Sequence, residues 1–155
     1  MLILDTDLAS AFAKAEHFDI LIKLFGKVGI TPMVYEELQI PLKYGYSYPD
    51  EIFKNAMLVT VNEDEQREYL KFMENYPRIG KGEKESIVVC MKRGDLFASF
   101  DKKAISVAKD PGVSVITGGV IFKGLIIKGI ASKKEVLGII NDIETSDNRS
   151  IEVEL

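Results

Sequence analysis

Two apolar runs in this chain end on an acid: Leu2-Ile3-Leu4-Asp5 and Leu96-Phe97-Ala98-Ser99-Phe100-Asp101. Two further carboxylates, Glu37 and Glu85, lie near the starts of segments with helical period. Glu37 has Val34 and Leu38 as its neighbours at helical spacing, so it borders a buried stripe. Glu85 precedes Ser86-Ile87-Val88-Val89, a stretch so apolar that an inward carboxylate is costly without a partner. Lys102 and Lys103 are too few to neutralise four acids, and carboxylates that converge either take up a proton or gather a cation. Mg²⁺ or Mn²⁺ suits an all-oxygen donor set and leaves positions for water and phosphate. Such a centre activates water and stabilises the leaving oxygen in phosphodiester cleavage. The single histidine, His17, and the single cysteine, Cys90, leave no ligand set for zinc.

The elements that must position these acids follow from the spacing of apolar residues. Strands are expected at Leu2-Ile3-Leu4, Val28-Gly29-Ile30, Met57 to Val61, Leu96 to Phe100 and Val113 to Ile116. Between them lie helical patterns at about Asp7 to Lys14, Glu16 to Phe25, Thr31 to Pro41, Asn62 to Asn75, Glu83 to Arg93 and Asp101 to Lys109. Two closing helices are expected at Gly119 to Lys128 and Lys133 to Asp142, the second capped by Ser132. Thr31-Pro32 supplies a cap residue and a proline at the first helical position, and Gly26 and Gly94 mark helix ends. Lys43 to Phe53, with Tyr44, Tyr46 and Tyr48, has the character of an irregular insert whose rings pack against the loop, stack bases or meet a partner subunit. Strands alternating with helices imply an α/β fold of three layers, α/β/α, with a central parallel sheet covered on both faces. In such sheets ligands bind beyond the carboxyl ends of the strands, where strand order reverses, which would bring Asp5 and Asp101 together.

A length of 155 residues suits one domain spanning 1–155, with a polar tail from about Glu144 in which Ser150 to Leu155 adds an edge strand or frays. With 46% apolar residues the chain can bury a substantial core. A net charge of −4 and no basic run argue against a tight, non-specific nucleic-acid binder, but not against an enzyme that meets a phosphate backbone through metal ions. One cysteine excludes an intrachain disulfide and fits a reducing, cytoplasmic setting. Cys90 is expected in the core and His17 on a solvated helix face. The opening residues lack the basic region and apolar length of a signal peptide, and no run of about 18 apolar residues suggests a membrane span.

Four segments together resemble the PIN-domain family: Leu4-Asp5-Thr6, Thr31-Pro32-Met33-Val34-Tyr35-Glu36-Glu37-Leu38, Gly82-Glu83-Lys84-Glu85-Ser86-Ile87, and Ser99-Phe100-Asp101-Lys102-Lys103-Ala104. Thr117 to Ile130 is similar to the family's closing helix and turn. The resemblance implies five strands in the order 3-2-1-4-5, and metal-binding roles for Asp5, Glu37 and Asp101. Glu85 is the third acid by spacing, with Glu83 as its alternative. Ser99 matches a hydroxyl frequent two residues before the last aspartate, Thr6 can donate to a site carboxylate, and Asp7 is the cap of the first helix or an extra ligand. The implied activity is Mg²⁺- or Mn²⁺-dependent cleavage of single-stranded RNA. A toxin role would bring a small antitoxin protein as partner, RNA processing would not, and a homodimer is common in the family. Two rivals are a PIN-like binding module without catalysis and a haloacid-dehalogenase-type phosphatase. The second is suggested by Asp5-Thr6-Asp7 but lacks the motif's usual residue at Ala9.

Overall fold

The computed structural model describes all of Met1–Leu155. Five strands, β1 (Leu2–Leu4), β2 (Val28–Ile30), β3 (Met57–Leu58), β4 (Leu96–Ala98) and β5 (Val115–Ile116), form one sheet. Their order is β3-β2-β1-β4-β5 and every pairing is parallel. Nine helices surround it: α1 (Thr6–Lys14), α2 (Asp19–Phe25), α3 (Pro32–Lys43), α4 (Pro49–Asn55), α5 (Glu63–Asn75), α6 (Lys81–Arg93), α7 (Lys102–Lys109), α8 (Gly118–Ile127) and α9 (Lys133–Ser146).

The alternation of side chains along a strand sorts the core into two layers. Leu2, Leu4, Val28, Ile30 and Ala98 join the cluster built with α1, α2, α8 and α9. Ile3 and Phe97 face the other way, into the cluster built with α5, α6 and α7. Strands buried on both sides explain why Leu2-Ile3-Leu4 is apolar without interruption. Cys90 is buried within the second cluster. The chain runs from β1 outward through β2 to β3, then returns to β4 and β5 on the other side of β1. Strand order therefore reverses between β1 and β4, and Asp5 and Asp101 both follow the carboxyl ends of these two strands.

Several local expectations change. Pro49–Asn55 is a helix rather than part of an irregular insert. Pro49 starts it, Asp50 and Glu51 favour its positive end, and Ile52 is buried. Residues 44–48 remain outside helices. The second helix begins at Asp19, not Glu16, because Glu16 adopts φ 61 and closes α1, with the His17 amide donating to Phe12 oxygen at 2.9 Å. The first helix is capped by Asp5, whose carboxylate accepts from the Leu8 amide at 2.8 Å; Asp7 stands exposed in the first turn and is not the cap. The closing helix α9 continues to Ser146. Ser150 to Leu155 adds no strand; instead Ile151, Val153 and Leu155 pack against the core, and the Ile151 amide donates to Glu144 at 3.0 Å. Glu65, in the first turn of α5, is only 1% exposed and accepts from Arg93 at 2.6 and 2.7 Å, which holds its carboxyl below the usual range.

Candidate metal centre

Each acid is aimed by a backbone amide or a short side chain. Asp5 is fully buried, and its second oxygen accepts from the buried Ser99 hydroxyl. Ser99 in turn accepts from the Asp101 amide at 3.0 Å, so one hydroxyl ties together the two strand ends. Asp101 caps α7 by accepting from the Lys103 amide at 2.8 Å. Glu37 accepts from the Thr6 hydroxyl and from the Gly82 amide, the latter at 3.1 Å, and so links the starts of α1 and α6. Glu36, its neighbour, is exposed. Gly82 is held to glycine by this approach: a Cβ there would lie 2.7 Å from a Glu37 oxygen. Glu83 is half-buried and accepts from the Gly80 amide at 3.3 Å.

The charges report which of these groups share a space. Burial pushes the Asp5 carboxyl up to about 7, against the pull of its Ser99 and Leu8 hydrogen bonds, with repulsion from Glu83 and Asp7 added. Glu83 is also pushed up to about 7, by burial first and then by Asp101, Asp7 and Glu37. Glu83 thus shares the crevice with Asp5, Asp7, Glu37 and Asp101, and none of the five joins an ion pair.

Glu85 sits differently. It is buried and accepts from the Met33 amide at 2.9 Å, at the first turn of α3. Thr31 occupies the cap position of α3 but makes no side-chain cap bond, so Glu85 satisfies that helix end from across the interface. Its charge, together with that of Glu37, reaches Tyr69, whose phenol is pushed up by burial first and then by these two carboxylates. Glu83 and Glu85 therefore leave the same helix turn toward different neighbours.

The donor set is all oxygen, strongly anionic and partly desolvated, which suits a hard divalent ion. No three of the acids converge at coordination distance, so the fit rests on donor type, charge and mutual repulsion rather than on a preset cage. A cleft of about 1080 Å³ lies at the far end of α1 and is lined by Tyr44, Tyr46 and Tyr48 with Glu16, Asp50 and Glu51. Its acids repel phosphate, which argues against those tyrosines as base-stacking residues. The expected solvated His17 is half-buried and pairs with Asp142 at 2.8 Å, away from the crevice. No helix is long and apolar enough to cross a membrane.

A search of curated proteins finds no match. A family profile described as a PIN domain matches residues 1–151. With the strand order and the acids at the β1–β4 crevice, that match over nearly the whole chain establishes that the protein belongs to the PIN-domain family, whose members are generally nucleases.

Proposed function

We propose that the chain is an endoribonuclease that hydrolyses phosphodiester bonds of single-stranded RNA with Mg²⁺ or Mn²⁺ as cofactor. The observation that carries this reading is the group of unpaired carboxylates at the point where strand order reverses. Asp5, Glu37, Glu83 and Asp101 would hold the ion, with Glu83 taking the place that spacing gave to Glu85. When bound, the ion would supply charge stabilisation to the phosphodiester oxygens.

The chain's own groups set the geometry. The Leu8 amide and Ser99 hydroxyl fix Asp5, Thr6 and Gly82 fix Glu37, and the Lys103 amide fixes Asp101. Glu83, held by one longer bond to Gly80, is the carboxylate free to orient water and accept its proton. Glu85 positions α3, and with it Glu37, one helical turn from the amide it binds. A toxin role with a small antitoxin protein as partner, and a homodimer, belong to the same proposal and rest on the family resemblance.

The test is cleavage of labelled single-stranded RNA in Mn²⁺ or in chelator by the wild type and Asp101→Asn. Asparagine keeps an acceptor for the Lys103 amide but loses the charge. The expected result is cleavage only with the ion, slowed on the order of 100-fold or more in the variant. Cutting that survives chelator, or that the variant performs at the wild-type rate, would sink the site.

Gly82→Ala separates function from stability at the same place. Alanine is favoured over glycine inside a helix by up to about 1 kcal/mol, and although Gly82 is buried, the atoms nearest to an added Cβ are all in the Glu37 carboxylate, the far end of a flexible side chain. The melting temperature should hold or rise, yet cleavage should fall roughly 10- to 100-fold because Glu37 is displaced by about an ångström. Unchanged cleavage would mean that Glu37 has no fixed role.

A further inference from the structure

A second concavity, about 400 Å³, opens between the α5–α6 turn and α7, lined by Tyr76, Pro77, Arg78, Ile79, Lys103 and Ser106 among others. Both of its walls run into the acids. On one side Ile79 leads to Gly80, whose amide binds Glu83 at 3.3 Å; on the other, the Lys103 amide binds Asp101 at 2.8 Å. Arg78 and Lys103 are exposed and neither joins an ion pair, in a chain whose net charge is −4. Tyr76 is anchored at both ends: its ring lies 4.6 Å from that of Phe72, and its hydroxyl donates to Asp110.

We propose that this groove is the subsite for the single-stranded nucleic acid flanking the scissile bond. This assignment rests on the nuclease reading of the adjoining acids. Arg78 and Lys103 take successive phosphates, and a base lies against the Tyr76 and Pro77 rings. The match is one of complementary charge: an anionic backbone is repelled by the acid crevice and by the tyrosine cleft at the other end of α1, but meets two free cations and a fixed aromatic face here. A guanidinium with no protein partner is suited to forked contact with phosphate. The assignment also moves base stacking from Tyr44, Tyr46 and Tyr48 to a ring beside the acids.

The test is binding of a short fluorescein-labelled oligouridine, followed by anisotropy in Ca²⁺ over a salt series, with a gel checking that the probe stays intact. The Arg78→Ala/Lys103→Ala double variant should weaken binding at least tenfold. Two lost phosphate contacts on a single strand should lower the slope of log K against log salt by about 1.4. Tyr76→Leu should weaken binding roughly tenfold, while Tyr76→Phe, which keeps the ring, should bind as the wild type does. Lys133→Ala/Lys134→Ala, on exposed α9, should leave affinity and slope unchanged. In cleavage assays the Arg78/Lys103 variant should raise KM and spare kcat.

Unchanged affinity and slope in the Arg78/Lys103 variant would overturn the groove, as would a wild type that does not bind the probe. A wild type that binds through these residues but never cuts would retain the groove and overturn the nuclease reading. Cutting with unaltered binding in the variants would do the reverse.

Discussion

Asp5→Asn is expected to abolish ion-dependent cleavage, by on the order of 10³-fold, and at the same time to make the protein more stable in chelator at pH 8. Both effects follow from placing an ionisable group out of water. In the folded chain burial pushes the Asp5 carboxyl from 3.8 up to about 7. A folded-state value above the unfolded one means that the folded state binds the proton more tightly. The resulting stability is fully present below about pH 4 and is lost as pH rises to about 7, after which it is flat. Glu83, raised to about 7 by burial and by Asp101, gives the same sign. In chelator, the wild type should therefore melt several degrees lower at pH 8 than at pH 5, a loss on the order of a few kcal/mol. Asparagine can accept from Leu8 and, with its amide, donate to the Ser99 oxygen, so the variant drops the charge and stays in contact with both, at the cost of the acceptor for the Ser99 hydroxyl proton. Mn²⁺ should restore the wild type at pH 8 through mass action and do little for the variant. Thermal melts at the two pH values, with chelator and with Mn²⁺, check all of this. A wild type equally stable at pH 5 and pH 8 in chelator, or a variant less stable than it at pH 8, would show that Asp5 is not held as a strained anion.

Asp5 and Asp101 could be read from the sequence because a doubly buried strand is continuously apolar, and an acid at its end breaks the pattern where ligands bind in parallel sheets. The strand order was legible through family resemblance, and the sheet class through the alternation of elements. Other features turn on a single residue or on distant contacts. The cap of α1 is Asp5 rather than Asp7 because the same carboxylate that faces the crevice also reaches the Leu8 amide, and a capping preference cannot choose between acids two residues apart. Helix α4 escaped notice because its seven residues carry only one deeply buried aliphatic side chain, Ile52, too few for a period. Glu65 is one of three consecutive acids in the first turn of α5, and its partner Arg93 lies 28 residues on, with no local signal to announce it. Arg78 was invisible for the opposite reason, since an exposed arginine in a turn has no periodicity and gains meaning only when α7 is placed opposite it.

Glu83 and Glu85 are separated by one intervening residue, and their conservative variants should part company. In the sequence both lie near a helix start and position does not rank them; in the structure only Glu83 falls in the first turn of α6. Their partners can. Glu83 faces Asp101, Asp7 and Glu37, so Glu83→Gln removes one anionic donor from the cluster. Cleavage in Mn²⁺ should fall on the order of 100-fold, and the protein should be no less stable in chelator because like-charge repulsion is relieved. Glu85 accepts from the Met33 amide, and an amide oxygen can do the same, so Glu85→Gln should keep most of the activity and the melting temperature. Glu85→Ala removes the acceptor altogether. With the Thr31 side chain making no cap bond, the start of α3 is left unsatisfied, and stability should drop by about 1–2 kcal/mol. The loss should extend to cleavage only as far as α3 shifts Glu37. The decisive comparison is between the two glutamine variants, assayed for Mn²⁺ affinity and for cleavage at equal folded fraction. Loss in Glu83→Gln alone places the third ion-holding acid at Glu83. Loss in Glu85→Gln alone would return it to Glu85 and would mean that the Met33 hydrogen bond gives way when the ion binds.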